Sequence, residues 1–197
     1  MQVMQVTQTT GIGILVRLRK KLLAAALTTT VGIIGFVAPA HANTSQGFVA
    51  GSGAVTDDFG DEGTVSRSPH KRSGATGLWQ YILWADGAKE SDGSTFDASD
   101  IDCDFGPNTE HATKDWQRRY GLSADGVVGT GTFGRADNKL AQVGDLGEGQ
   151  IRVRYNGSVH TFDMIRNGYN SGLNSYGYFS TGSYAFYRYS SAPGDCV

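Results

Sequence analysis

Three acidic residues alternate along one short stretch, Asp100, Asp102 and Asp104, and carboxylates at that spacing invite two kinds of chemistry. The first is calcium ligation, because an EF-hand loop presents its first ligands at alternate positions. Such a loop needs Gly at its sixth position and Glu at its twelfth, where this chain has Phe105 and His111. The second is glycoside hydrolysis, which requires one carboxyl kept protonated by burial and another kept ionised. Nothing singles out two of these carboxylates for the two roles, and a solvated acidic loop is the plainer reading. Other chemistry fails on inventory. His70, His111 and His160 are scattered, without the His-x-x-x-His spacing of a zinc peptidase, and no Gly-x-Ser-x-Gly elbow is present. The sequence thus provides no catalytic set, no metal site and no cofactor motif.

The two cysteines, Cys103 and Cys196, bear on the same question. An even count in an exported chain favours a disulfide. The bridge would close a loop of 93 residues, for which chain entropy gives roughly 4 to 5 kcal/mol as an upper figure. Paired, neither thiol is available as a nucleophile or as a ligand.

Export is expected from the first 42 residues. Arg17, Arg19, Lys20 and Lys21 form a basic region, an apolar run extends from Leu22 to Val37, and Ala40-His41-Ala42 offers small residues at a cleavage site. The run is shorter than the ~20 residues a membrane span needs. Without this segment the chain keeps 13 basic and all 19 acidic residues, a net charge of −6. Nucleic acid is therefore an unsuitable partner, since phosphate binding needs a basic face. Charge is also uneven: residues 43–148 hold nine basic and 17 acidic groups, residues 149–197 four and two. This contrast places a joint between segments near Gly147-Glu148-Gly149.

Residues 43–75 are rich in Gly, Ser, Thr and Asp and show no period, which reads as a flexible arm. Helical spacing begins with Leu78, Trp79, Ile82, Leu83 and Ala85, which Thr76 can cap and Asp86-Gly87 can end. A second helix starts at Pro107, carries Ala112, Trp116 and Tyr120 on one face, and stops at Gly121. A third starts at Thr132 with Phe133, Ala136 and Leu140 on one face. Two related stretches precede the second and third helices: Asp102, Phe105, Gly106 and Thr109, then Asp125, Gly126, Val128, Gly129 and Thr132. In each, the Asp can bond its own downstream backbone, the later Gly can take a conformation closed to other residues, and the Thr enters the first helical turn. Each stretch is a joint from loop to helix. From Ile151 the period switches to two, Asn156-Gly157 signals a hairpin, and further strands follow to Tyr189. Tyr184 and Phe186 fall on one face of the last strand, Tyr187 and Tyr189 on the other.

Together these residues resemble the three-helix peptidoglycan-binding domain of bacterial cell-wall hydrolases. The resemblance rests on Trp79-Gln80, Leu83 and Gly87, on Asp102, Phe105, Gly106, Pro107, Thr109, Ala112, Trp116 and Gln117, and on Gly121-Leu122, Asp125-Gly126, Val128-Gly129 and Thr132-Phe133. Cys103 departs from it, standing where the family has a Gly that supplies backbone freedom. The resemblance implies a peptidoglycan-binding-like three-helix module at 76–142; with the strand pattern that follows it, the expected fold class is α+β, the module preceding a short antiparallel β-meander at 149–197. The implied partner is peptidoglycan, glycan strand or stem peptide, bound by a monomer that is secreted or associated with the cell wall. Trp84, lying off the buried face of the first helix, is a candidate stacking platform. Gln117, Arg118, Arg119 and Tyr120 are candidate contacts for stem peptide, although basic residues in a last helical turn also serve the helix dipole. A non-catalytic binder, a small wall hydrolase targeted by the helical module and a secreted protein-interaction or inhibitor module all remain open at this point.

Overall fold

A computed structural model describes residues 47–168, 174–180, 183–194 and 196. The expected export signal at 1–42 lies outside the described residues. Three helices, α1 (Gly74–Asp86), α2 (Pro107–Arg119) and α3 (Thr130–Ala136), precede five strands, β1 (Leu140–Gly147), β2 (Gln150–Asn156), β3 (Thr161–Asn167), β4 (Ser175–Ser180) and β5 (Ser183–Phe186). The strands form one antiparallel sheet in chain order, so the architecture is α+β with a β-meander following the helices.

Four sequence expectations are corrected. The cap of α1 is Ser73, whose hydroxyl accepts from the Thr76 N–H, and Thr76 lies inside the first turn. Helix α3 starts two residues earlier than expected and closes through a short 3-10 turn, so Leu140 opens β1 instead of continuing a helical face. Gly147 and Gly149, both with positive φ, flank Glu148 in the turn of the β1–β2 hairpin, so the charge contrast falls within the sheet. Finally, 47–75 is no loose arm. Val49, Phe59 and Val65 are fully buried, and Phe59 rings meet Phe133 and Tyr176 at 6.0 and 5.1 Å. The apolar residues of this segment are spaced without period because each enters the core singly from an irregular path.

Polar groups fix that path. The Glu62 carboxylate, fully buried, accepts from the Ala50 N–H at 2.7 Å and the Tyr189 hydroxyl at 2.5 Å. Asp58 pairs with the Arg166 guanidinium at 2.7 Å and accepts from the Tyr176 hydroxyl, and Asp137 accepts from the Phe59 N–H. Trp79 and Trp116 are both buried and meet edge-on at 5.0 Å, as expected for core residues.

The joints are built alike and explain the sequence pattern. Asp102 accepts from the Asp104 N–H and Asp125 from the Val127 N–H, each at 2.8 Å. Phe105 and Val128 are fully buried. Gly106 and Gly129, however, are extended, with φ of −83° and −111°, which any residue tolerates. The left-handed positions are Cys103 (φ 58°) and Gly126 (φ 76°), six residues before Thr109 and Thr132. His70 (φ 54°) stands six residues before Thr76, so the left-handed position recurs at the entry to α1, where Ser73 supplies a side-chain cap that the other two joints lack. Its sequence hides the relation, because neither the Asp nor the buried apolar residue recurs.

One buried glutamine locks each of the two later joints. Gln80 Nε2 reaches Asp102 Oδ1, the Asp104 carbonyl and Thr109 Oγ1 at 2.7, 3.1 and 3.2 Å, while its Oε1 accepts from the Cys103 N–H. Gln117 repeats this on Asp125, Val127, Thr132 and the Gly126 N–H. Cys103 is bonded to Cys196, tying the chain's last described residue to the first of these joints.

Candidate functional site

The expected ligand residues are Trp84, Gln117, Arg118, Arg119 and Tyr120, and the fold sorts them. Gln117 is buried, with its amide committed to the second joint, so it does not face a ligand. Arg118 is exposed and forms no ion pair among the described residues. Trp84, Arg119 and Tyr120 converge, because all three reach the C-terminal end of α1 or the β2–β3 connection packed on it.

That end is built around close approach. Gly87 caps α1 in the left-handed conformation (φ 59°), as the sequence signalled. The Asn156-Gly157 pair does not make the tight hairpin turn expected of it; residues 157–160 form a longer connection before Thr161. Gly157 is needed for a different reason. A Cβ there would stand 2.3 Å from the Ala85 carbonyl oxygen, so only glycine lets the connection lie on the helix. The Ala85 carbonyl then accepts from the N–H groups of Val159 and His160, both at 2.9 Å, satisfying a group that helix ends leave unpaired.

Beneath the surface lies Asp86, side chain wholly buried. It accepts from Trp116 Nε1 at 2.7 Å, the Tyr155 hydroxyl at 2.8 Å and the Ser158 N–H at 2.8 Å, and it pairs with Lys139 Nζ at 2.5 Å. Burial alone would raise its pKa, but these donors outweigh it and hold the carboxyl below its ordinary range. An acid at the negative end of a helix is unfavourable without such partners. Asp86 thereby fastens α1, α2, β2 and the β2–β3 connection at one point.

The surface above is aromatic with cationic edges. Trp84 stacks on His160 at 4.4 Å with 10° between planes. Val159 beside them is 59% exposed. Tyr120 packs on Trp116 at 4.3 Å, its hydroxyl 3.4 Å from Ser158 Oγ, with the Arg135 guanidinium and Lys139 ammonium over its ring at 5.1 and 4.9 Å. Arg119 donates to the Asp86 carbonyl at 2.9 Å and pairs with Asp115 at 3.2 Å. It serves the end of α1 as well as its own helix, where the Asp115 pair spans one turn of α2. Sequence reasoning missed Ser158, Val159, His160, Arg135 and Lys139, and the one signal present, Asn156-Gly157, pointed to a different turn.

The three alternating carboxylates of the acidic loop each have a partner of their own. Asp100 caps the Asp97 N–H, Asp102 is held by Gln80, and Asp104 pairs with Lys71 at 2.6 Å. With Phe96, Asn108 and Thr109 these residues line an open cavity of about 330 Å³. Among the described residues no three acidic, His or Cys groups are placed to hold a metal ion.

Residues 93–135 match the family described as "Putative peptidoglycan binding domain". The matched stretch runs through the acidic loop, both Gln-locked joints, α2 and most of α3. No curated protein and no solved structure matches the chain.

Proposed function

We propose, from the match of residues 93–135 to the peptidoglycan-binding domain family, that the chain is a secreted, monomeric, non-catalytic protein that docks on cell-wall peptidoglycan through the surface where α1, α2 and the β2–β3 connection meet. The observation that carries this reading is the convergence of Trp84, Tyr120 and Arg119 with His160 and Val159 over the Asp86 hub. Rings held by packing offer flat apolar faces to sugars or to stem-peptide side chains, and Arg135, Lys139 and Arg119 supply donors for carboxylates and amides. The non-catalytic part is supported by the loop carboxylates, each of which already has a structural partner. No described helix is long and apolar enough to cross a membrane, which fits a protein working in the wall after export.

The test is isothermal titration of soluble disaccharide-peptide fragments of peptidoglycan against the wild type, Trp84→Ala and Tyr120→Ala. The reading expects each substitution to weaken binding at least about tenfold, the loss of one well-packed aromatic contact. Unchanged affinity in both variants would move the site elsewhere on the module.

A further inference from the structure

The face of the sheet opposite the buried tyrosines carries a second aromatic construction, remote from the α1 end. In register across the strands lie Arg152, Ile165, Gly177 and Phe186, and beside them Arg154 and Asp163. Tyr184 reaches from β5 across β4: its hydroxyl donates to the Ile165 carbonyl at 2.7 Å and lies 3.2 Å from that of Ser175. Spanning two strand spacings of roughly 4.8 Å obliges a tyrosine to lie flat on the sheet. Gly177 is what allows it, since a Cβ there would stand 2.8 Å from the ring. Phe179 and Phe186 meet this ring edge-on at interplanar angles of 75° and 85°, with centroids at 5.8 and 4.6 Å. The result is a flat aromatic floor between two upright rings. Phe48 extends the row at 5.2 Å from Phe186.

Charge around this trough has one sign in excess. Arg154 and Asp163 neutralise one another through two hydrogen bonds of 2.7 and 2.9 Å. Among the described residues neither Arg152 nor Arg188 forms an ion pair; Arg152 lies near enough to Asp163 to help hold its carboxyl below the ordinary range, and Arg188 lies over the Phe48 and Phe186 rings at 4.6 and 5.5 Å. Arg152, Arg154 and Arg188 therefore outnumber Asp163, the one described carboxylate among them, in a chain whose net charge is −2. Arg152 and Asp163 also line, with Leu146, Ile165 and Phe179, an open cavity of about 380 Å³. Phe179 is 67% exposed, so its ring forms an open apolar wall beside the Tyr184 floor.

We propose that this outer face is a second ligand site that takes a carboxylate-bearing saccharide, with the Tyr184 floor and Phe179 wall against the apolar face of a sugar ring and Arg152 and Arg188 meeting its acid groups. Immobilised rings suit a rigid sugar because they lose little freedom on binding, and guanidinium forks match carboxylates in geometry as well as charge. The Arg154–Asp163 pair adds donors and acceptors for ring hydroxyls. The site is independent of the peptidoglycan-docking surface described above and would give one chain two points of attachment to carbohydrate.

The test is titration of the purified protein with hyaluronan octasaccharide and oligogalacturonate, in parallel with neutral chitotetraose and phosphatidylglycerol vesicles. At least one acidic oligosaccharide should bind, chitotetraose should be at least tenfold weaker, and raised salt should weaken the acidic ligand. Phe179→Ala and Arg152→Glu, both at exposed positions, should each reduce that affinity at least tenfold while thermal melting stays unchanged, and Trp84→Ala should leave the affinity unmoved. Absence of binding to both acidic oligosaccharides overturns the proposal. So do equal affinity for chitotetraose, binding that neither substitution moves, or binding to the vesicles alone, which would point to a membrane surface.

Discussion

Replacing Gln117 with Ala removes a single side chain that holds an entire joint, and its cost can be worked from the contacts. The amide has two N–H groups shared among Asp125 Oδ1, the Val127 carbonyl and Thr132 Oγ1, and its oxygen accepts from the Gly126 N–H, so about three full hydrogen bonds are lost. At ~1 kcal/mol net for each, and with buried backbone groups left without partners, the cost is about 3 kcal/mol. Urea unfolding reports it directly: with a slope of roughly 2 kcal/mol per molar for a domain of this size, the midpoint should fall by about 1.5 M. Gln80→Ala breaks the matching set at the first joint and should cost the same within ~1 kcal/mol. Midpoint shifts below roughly 0.4 M in both variants would refute the claim that the glutamines hold the joints, and the repeated motif would then owe its stability to burial of Phe105 and Val128 alone.

Asp86→Ala should cost about 3 to 5 kcal/mol in the same assay, because it leaves the buried Trp116 and Tyr155 donors without their acceptor and Lys139 without its carboxylate. Reducing the Cys103–Cys196 bond should lower stability by up to roughly 4 to 5 kcal/mol, read as a fall in melting temperature on adding a reductant that leaves a Cys196→Ser variant unaffected. Stability should also fall as pH rises from about 5 to about 9. Burial pushes the Glu62 carboxyl up to about 8 and, with Asp57 and Asp58 nearby, the Asp137 carboxyl up to about 7. In the unfolded chain both ionise in the ordinary carboxylate range, so the folded state holds more protons between the two ranges, and its advantage is lost as pH passes through the folded values. Urea midpoints at three pH values check this, and Glu62→Gln should flatten the upper part of the slope.

The helices and their joints were legible because their signals are local. Pro107 at a first turn, Gly87 and Gly121 at left-handed stops and the paired Asp turns each depend on a few adjacent residues. The order of residues 47–75 was not legible, because burial of Phe59 and Glu62 depends on partners such as Phe133 and Tyr189 far along the chain. Cys103 shows the limit of reading by residue type: it takes the backbone conformation that Gly126 takes in the other joint, held there by the disulfide and by Gln80. At the candidate site, Trp84 and Tyr120 could be chosen from their helices, but His160 and Ser158 could not. They arrive there only because Gly157 permits contact with the Ala85 carbonyl, a tertiary fact that the Asn156-Gly157 pair does not encode.

The proposal that this chain binds peptidoglycan without cutting it can be tested in one assay. The most direct measurement is co-sedimentation of the purified protein with insoluble peptidoglycan sacculi while the turbidity of the suspension is followed. Protein should pellet with the sacculi in a saturable manner, and turbidity should hold steady for hours. Falling turbidity would contradict the non-catalytic part and establish a wall hydrolase. Protein that stays in the supernatant would contradict the binding itself.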